Sequence, residues 1–146
     1  MENQNDTIKI FSMESDEFFR YFLHDSLVVY SSRKVSMTVA KDAEEAINYL
    51  NGKLPEVPNV IFLCLSVPMR SGEKIVTLGG FKVLENLRQN EKFAKVPIII
   101  FSKYGDNKLQ RKARILGATK YVVKGEWMPK DLARLVEDFE DIYQCQ

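Results

Sequence analysis

Five strand-length apolar runs, each followed by a longer amphipathic stretch, constrain this chain more than any other feature. The runs cover residues 8–12, 35–40, 60–65, 97–102 and 120–123, and most are rich in Val, Ile, Phe or Tyr. Helical patterns lie between them. Phe18, Phe19, Phe22 and Leu23 recur at helical spacing behind the capping residues Ser15-Asp16-Glu17. Asp42 is placed to cap a helix over 43–50 that Asn51-Gly52 would stop, with Ala46, Ile47 and Leu50 on one face. Phe81, Leu84 and Leu87 follow Gly79-Gly80, while Asp106 precedes a run over 109–116 that Gly117 ends. Pro129 opens a last helix with Leu132, Leu135, Val136 and Phe139 as its stripe.

Strand and helix alternating five times favour right-handed crossovers and a parallel sheet covered on both faces. Ile61-Phe62-Leu63 and Ile98-Ile99-Ile100 are apolar without interruption, as central strands of such a sheet require. The stretch 67–80 is long for a strand-to-helix loop and holds three glycines, so it reads as irregular and as a candidate flap. Tyr and Phe residues at helical spacing read as core. Trp127, in the loop 125–129, is the exception, an aromatic that either anchors a partner or covers the sheet's edge.

The chain has 146 residues with 21 basic and 20 acidic side chains, which suits one domain over 1–146 and gives no broad field for nucleic acid or anionic lipid. No apolar run reaches the ~18–20 residues of a membrane span. The polar, acidic start lacks the pattern of a secretory signal. Cys64 and Cys145 are too few for a disulfide framework and read as thiols in a reducing compartment. The expectation is a cytoplasmic protein that binds neither nucleic acid nor membrane.

Chemistry in a doubly wound sheet gathers at the carboxyl ends of the strands. Those ends are Ser12-Met13-Glu14, Cys64-Leu65-Ser66, Ser102-Lys103 and Lys124-Gly125. Glu14 is the one carboxylate among them, whereas a hard cation such as Mg²⁺ wants several converging. His24, the single histidine, lies on the first helix and is poorly placed to activate Cys64. The glycines at 72, 79 and 80 do not form a nucleotide-binding loop.

In order and spacing, the runs 42–50, 60–68, 80–88, 97–102 and 117–124 resemble bacterial response-regulator receiver domains. The approach to the fourth strand, residues 90–97, is similar to stand-alone receivers paired with phytochrome-type histidine kinases. The resemblance implies a CheY-like, flavodoxin-like (βα)5 fold: a doubly wound parallel five-stranded sheet in three layers with strand order 2-1-3-4-5. It also implies a place in two-component signalling, with a histidine kinase or a downstream effector as partner.

Receivers carry an acidic pair after the first strand and a phosphoacceptor Asp ending the third, which together bind Mg²⁺. Here those positions fall on Ser12, Met13 and Cys64; a shifted alignment brings Glu14 toward the site. Ser102, Tyr121 and Lys124 match the family's switch hydroxyl, switch aromatic and phosphate-pairing lysine, with Ser66 beside them. The expectation is a pseudo-receiver: no catalytic residue, no cofactor, weak or absent Mg²⁺ binding, and action through protein–protein interaction. Lys124, without its carboxylate partners, either takes a solvent anion or pairs with Glu14. The alternative is a redox or altered-acceptor site at Cys64, helped by Lys124.

The fourth helix is basic, through Lys108, Arg111, Lys112 and Arg114. The last is acidic, through Asp131, Glu137, Asp138, Glu140 and Asp141. These are either two solvated faces or an interface, with Trp127 beside it. The receiver resemblance points to homodimerisation through the fourth helix, fifth strand and fifth helix, salt-sensitive because opposite charges would meet.

Overall fold

The computed structural model describes residues 7–54, 56–67, 69–71, 74–76 and 78–144, the side chains of 69–71, 74–76 and 140–144 excepted. Cys145 lies outside them. In chain order the elements are β1 (Thr7–Met13), α1 (Glu17–Tyr30), β2 (Lys34–Ala40), α2 (Ala43–Asn48), β3 (Val60–Leu63), β4 (Met69–Ser71), β5 (Lys74–Val76), α3 (Gly79–Gln89), β6 (Ile98–Ser102), α4 (Asn107–Ile115), β7 (Lys120–Val123) and α5 (Pro129–Gln144). Five strands form one parallel sheet in the order β2-β1-β3-β6-β7, which is 2-1-3-4-5 when only its own strands are counted. The parallel sheet is the one expected from the alternating pattern, and its strand order is the flavodoxin-like one that the receiver resemblance implies.

Two cores cover the sheet. On one face Phe11, Ile61, Leu63, Ile98 and Ile100 pack against α2 and α3. On the other Ile8, Ile10, Phe62, Ile99 and Phe101 pack against Leu23 and Leu27 of α1 and Leu132, Ala133 and Val136 of α5. The alternation along β3 and β6 thus sends successive side chains to opposite cores. Among the described residues no helix is long and apolar enough to cross a membrane.

Four local expectations need correction. The stretch after β3 is not irregular throughout, since β4 and β5 pair antiparallel, Met69 opposite Val76. The helix expected over 43–50 is α-helical only to Asn48. A π-helical turn over Tyr49–Lys53 follows, and Gly52 at φ 155° releases the chain. Third, not all helical aromatics are core: Leu23 and Leu27 are buried and Phe19 and Phe22 half-buried, but Phe18 and Tyr21 are exposed.

β3 also ends at Leu63 rather than Leu65. Past it the chain turns to meet α3, where the Gly79 and Gly80 amides donate to the Val67 and Leu65 carbonyls. A Cβ on Gly80 would lie 2.2 Å from the Cys64 carbonyl oxygen, so only glycine lets α3 start this close to the strand end. Arg88, near the end of α3, donates to the carbonyls of Gly117, Phe93 and Val96 and ties two loops at the opposite end of the sheet.

Candidate functional site: the strand-end pocket

Parallel pairing continues one residue beyond the strands and brings three side chains to one level. The Glu14 amide donates to the Ala40 carbonyl, the Cys64 amide to Met13 and the Lys124 amide to Ser102. Glu14, Cys64 and Lys124 therefore meet at the carboxyl end of the sheet. Met13 and Ser12, one and two strand positions earlier, are both buried. The first strand thus brings one carboxylate, Glu14, to this end of the sheet.

Lys124 Nζ lies 2.6 Å from Glu14 Oε1, and the two side chains are 4% and 3% exposed. The ammonium meets Oε1 as a charge, with no hydrogen bond aligned on that oxygen. Glu14 Oε2 accepts the Asp16 amide, and Asp16 in turn caps α1 by accepting from the Phe19 amide. Lys124 Nζ is also 3.6 Å from Cys64 Sγ, which has Ser66 Oγ at the same distance. Phe19 and Phe101 present their rings to the ammonium, with centroids 4.3 and 5.4 Å away. These two aromatics complete the cation's enclosure. The sequence signals them only through Phe19 next to the capping residues and Phe101 preceding Ser102.

Burial pushes the Cys64 thiol up from its ordinary range. The Glu14 charge adds to that rise, and Lys124 and the Ser66 hydroxyl offset only part of it. A buried thiol held in its neutral form is a poor nucleophile. His24 does not reach it: the ring is exposed and meets Asp25 Oδ1 at 3.1 Å. Ser102 is fully buried and its Oγ accepts the Tyr104 amide. Tyr121, half-buried, donates its hydroxyl to the Tyr104 carbonyl at 2.6 Å; burial raises the phenol's pKa. Ser102 and Tyr121 thus grip the same residue of the β6–α4 loop.

The pocket does not fit Mg²⁺. A hard cation needs several oxygen ligands. Glu14 is the one carboxylate at these strand ends, and Lys124 already neutralises it. Among the described residues no three His, Cys, Asp or Glu side chains converge as a ligand set.

The candidate interface residues flank β7. Lys108, Arg111, Lys112 and Arg114 are all exposed, with Lys112 Nζ 4.6 Å from the Phe81 ring centroid. A groove on the α5 side is lined by Glu126, Trp127, Asp131, Arg134, Leu135 and Asp138. Trp127 is half-buried against the second core, and Lys120 Nζ lies 5.6 Å from the centre of its ring. Glu137 faces elsewhere. Its Oε1 accepts from the Ser31 hydroxyl and from the Ser32 amide and hydroxyl. Partial burial pushes that carboxyl up, but the Ser32 and Ser31 hydrogen bonds and nearby Arg33 outweigh it and hold the pKa below the usual range. The side chains of Glu140 and Asp141 lie outside the described residues.

No protein-family model matches the sequence. Solved structures do. The Mn(2+)-bound response regulator Rcp1 superposes with a TM-score of 0.71 at 18% identity, over 93% of this chain and 94% of that one. The phosphorylated cyanobacterial phytochrome response regulator RcpA gives 0.70 at 19% identity, over 94% and 92%. A putative response regulator from Chloroflexus aurantiacus gives 0.74 at 18%, over 92% and 98%. At these identities the likeness is one of architecture: the chain has the CheY-like fold of response-regulator receiver domains.

Proposed function

We propose that this chain is a pseudo-receiver, a signalling module that acts by binding another protein and not by accepting a phosphoryl group on aspartate. One observation carries this reading, the Glu14–Lys124 pair. Phosphoryl transfer to a receiver needs an attacking carboxylate, a metal to spread the developing charge and a cation for the product. Here the acceptor position holds Cys64, the metal ligands are absent from Ser12 and Met13, and the cation is engaged by a carboxylate of the same chain. The pocket is filled by its own side chains.

The partner is a signalling protein, a histidine kinase or a downstream effector, met through the charged surface around β7. Lys108, Arg111 and Arg114 on the α4 side and Glu126, Asp131 and Asp138 on the α5 side provide its complementary charge. With Glu137 committed to the Ser31–Ser32 turn, α5 has one acid fewer to offer a second copy of this chain. A partner with its own charge pattern suits the face better than symmetric pairing does. Binding there weakens as salt rises.

The Cys64 alternative gains a cation 3.6 Å from the sulfur, but burial and the Glu14 charge oppose thiolate formation. Incubation with Mg²⁺ and acetyl phosphate, followed by intact mass, separates the readings. No mass gain is the expected result. A stoichiometric phosphoryl adduct, or an adduct lost in Cys64→Ser, would overturn it.

A further inference from the structure

Eight large hydrophobic side chains are exposed among the described residues, and five lie on one helix: Phe18, Tyr21, Val28, Val29 and Tyr30 of α1. The core side of α1 is satisfied by Leu23 and Leu27, so Phe18, Tyr21, Val28 and Val29 occupy the side facing away from the sheet, whereas Tyr30, seven residues after Leu23, is exposed because it ends the helix. Phe18, Tyr21, Asp25 and Val28 are spaced by three, four and three residues, the seam of a helix that packs lengthwise on another. Phe22 flanks this seam, stacked on Phe18 with centroids 6.1 Å apart, and Val29 flanks it at the next-to-last residue of the helix. From Phe18 to Val28 the stripe runs about 15 Å along the 14-residue helix, more than scattered surface residues explain.

We propose that α1 pairs with α1 of a second copy, antiparallel about a two-fold axis. The pattern itself selects this occupant. In an antiparallel pair, the two kinds of seam position face each other across the axis. Phe18 then meets Val28 of the other copy, and Tyr21 meets Asp25. The seam's single charge lands opposite its single hydroxyl, Tyr21 donating to Asp25, while apolar groups face apolar groups. The layers run Phe18–Val28, Tyr21–Asp25, Asp25–Tyr21, Val28–Phe18, as two-fold symmetry demands. His24, which meets Asp25 at 3.1 Å in its own chain, lies beside the seam and leaves it unbroken. A single helix pair is at the small end of specific interfaces, so the dimer is transient, half-formed at a concentration on the order of 10 µM. This surface is separate from the charged face around β7 and from the strand-end pocket.

Sedimentation of the full chain from about 1 to 500 µM tests the pairing. The expected result is a monomer–dimer equilibrium little changed between low and high salt, weakened at least about tenfold by Phe18→Glu. Because Phe18 is 66% exposed, that variant folds, which circular dichroism checks. Register is read by oxidising a Phe18→Cys, Val28→Cys double variant in a Cys145→Ser chain. The two new thiols are about 15 Å apart along one helix and cannot bridge within a chain. A covalent dimer from the double variant, and none from Phe18→Cys alone, is expected. The proposal is overturned by a monomer at every concentration, by a dimer lost in Arg111→Glu but kept in Phe18→Glu, or by cross-linking of Phe18→Cys alone. A monomer whose α1 instead captures a helix of another protein would overturn it equally.

Discussion

Glu14 and Phe18 are four residues apart, yet the chain buries the charged one and exposes the aromatic one, at 2% and 66% of their surfaces. Each breaks the ordinary rule of protein interiors, and each inversion is specific. Glu14 is buried with its counter-ion, Lys124, between two aromatic rings beside a neutral thiol. Phe18 is exposed with Tyr21, Val28 and Val29 on one side of a helix. The pocket where receivers do chemistry is closed from within. A surface that a soluble domain usually covers with charge is left apolar. On the reading proposed above, the pair of inversions goes with work done at surfaces and not in the pocket.

The comparison can be broken at its buried end first. Glu14→Ala leaves the Lys124 ammonium uncompensated and should cost about 3–5 kcal/mol in denaturant unfolding. A Glu14→Ala, Lys124→Met double variant removes both charges and should recover most of that loss, giving a large coupling energy in the cycle that the Lys124→Met single completes. If the single and double variants are equally unstable, the pair is not what holds the pocket. Gly80→Ala forces a methyl group against the Cys64 carbonyl and should cost about 1–3 kcal/mol, again read by denaturant unfolding.

The thiol sharpens the comparison through pH. Because folding raises the Cys64 pKa, the unfolded chain loses its proton first as pH rises. The contribution of this group is therefore fully present below the ordinary thiol range of about 8.5 and falls as pH rises toward the folded value. Cys64→Ala should flatten that alkaline limb, and native Cys64 should label with iodoacetamide more slowly than a free thiol at pH 8. At the exposed end, Phe18→Ser should change unfolding free energy by less than about 0.5 kcal/mol. A larger loss would mean that Phe18 belongs to the core after all.

Much of this was legible in the residues. Strand-length apolar runs and the 3.6-residue period gave the order of the five strand-helix units, though not β4 and β5, and the unbroken apolar runs at 61–63 and 98–100 marked the central strands of the observed sheet. Strand-end logic selected Glu14, Cys64, Ser102 and Lys124 because a parallel sheet aligns those ends whatever its loops do. The rings of Phe19 and Phe101 were harder to find, since their contact with Lys124 depends on how far α1 tilts over β6. Nor does periodicity tell the two sides of α1 apart. Aromatic residues recur on both, and only packing against α5 decides that Leu23 and Leu27 turn inward while Phe18 and Tyr21 do not. Glu137 counted as surface charge until the Ser31–Ser32 turn, more than a hundred residues earlier in the chain, was seen to hold it.

The central claim is that the Glu14–Lys124 pair occupies the place of metal and phosphoryl group. Titrating the native chain with Mg²⁺, then with beryllofluoride, while following the amide signals of Met13, Cys64, Ser102 and Lys124 tests it most directly. The account predicts that these signals stay in place at millimolar Mg²⁺ and remain so when beryllofluoride is added. A saturable shift centred on Glu14 and Cys64 would show a working metal site and contradict it.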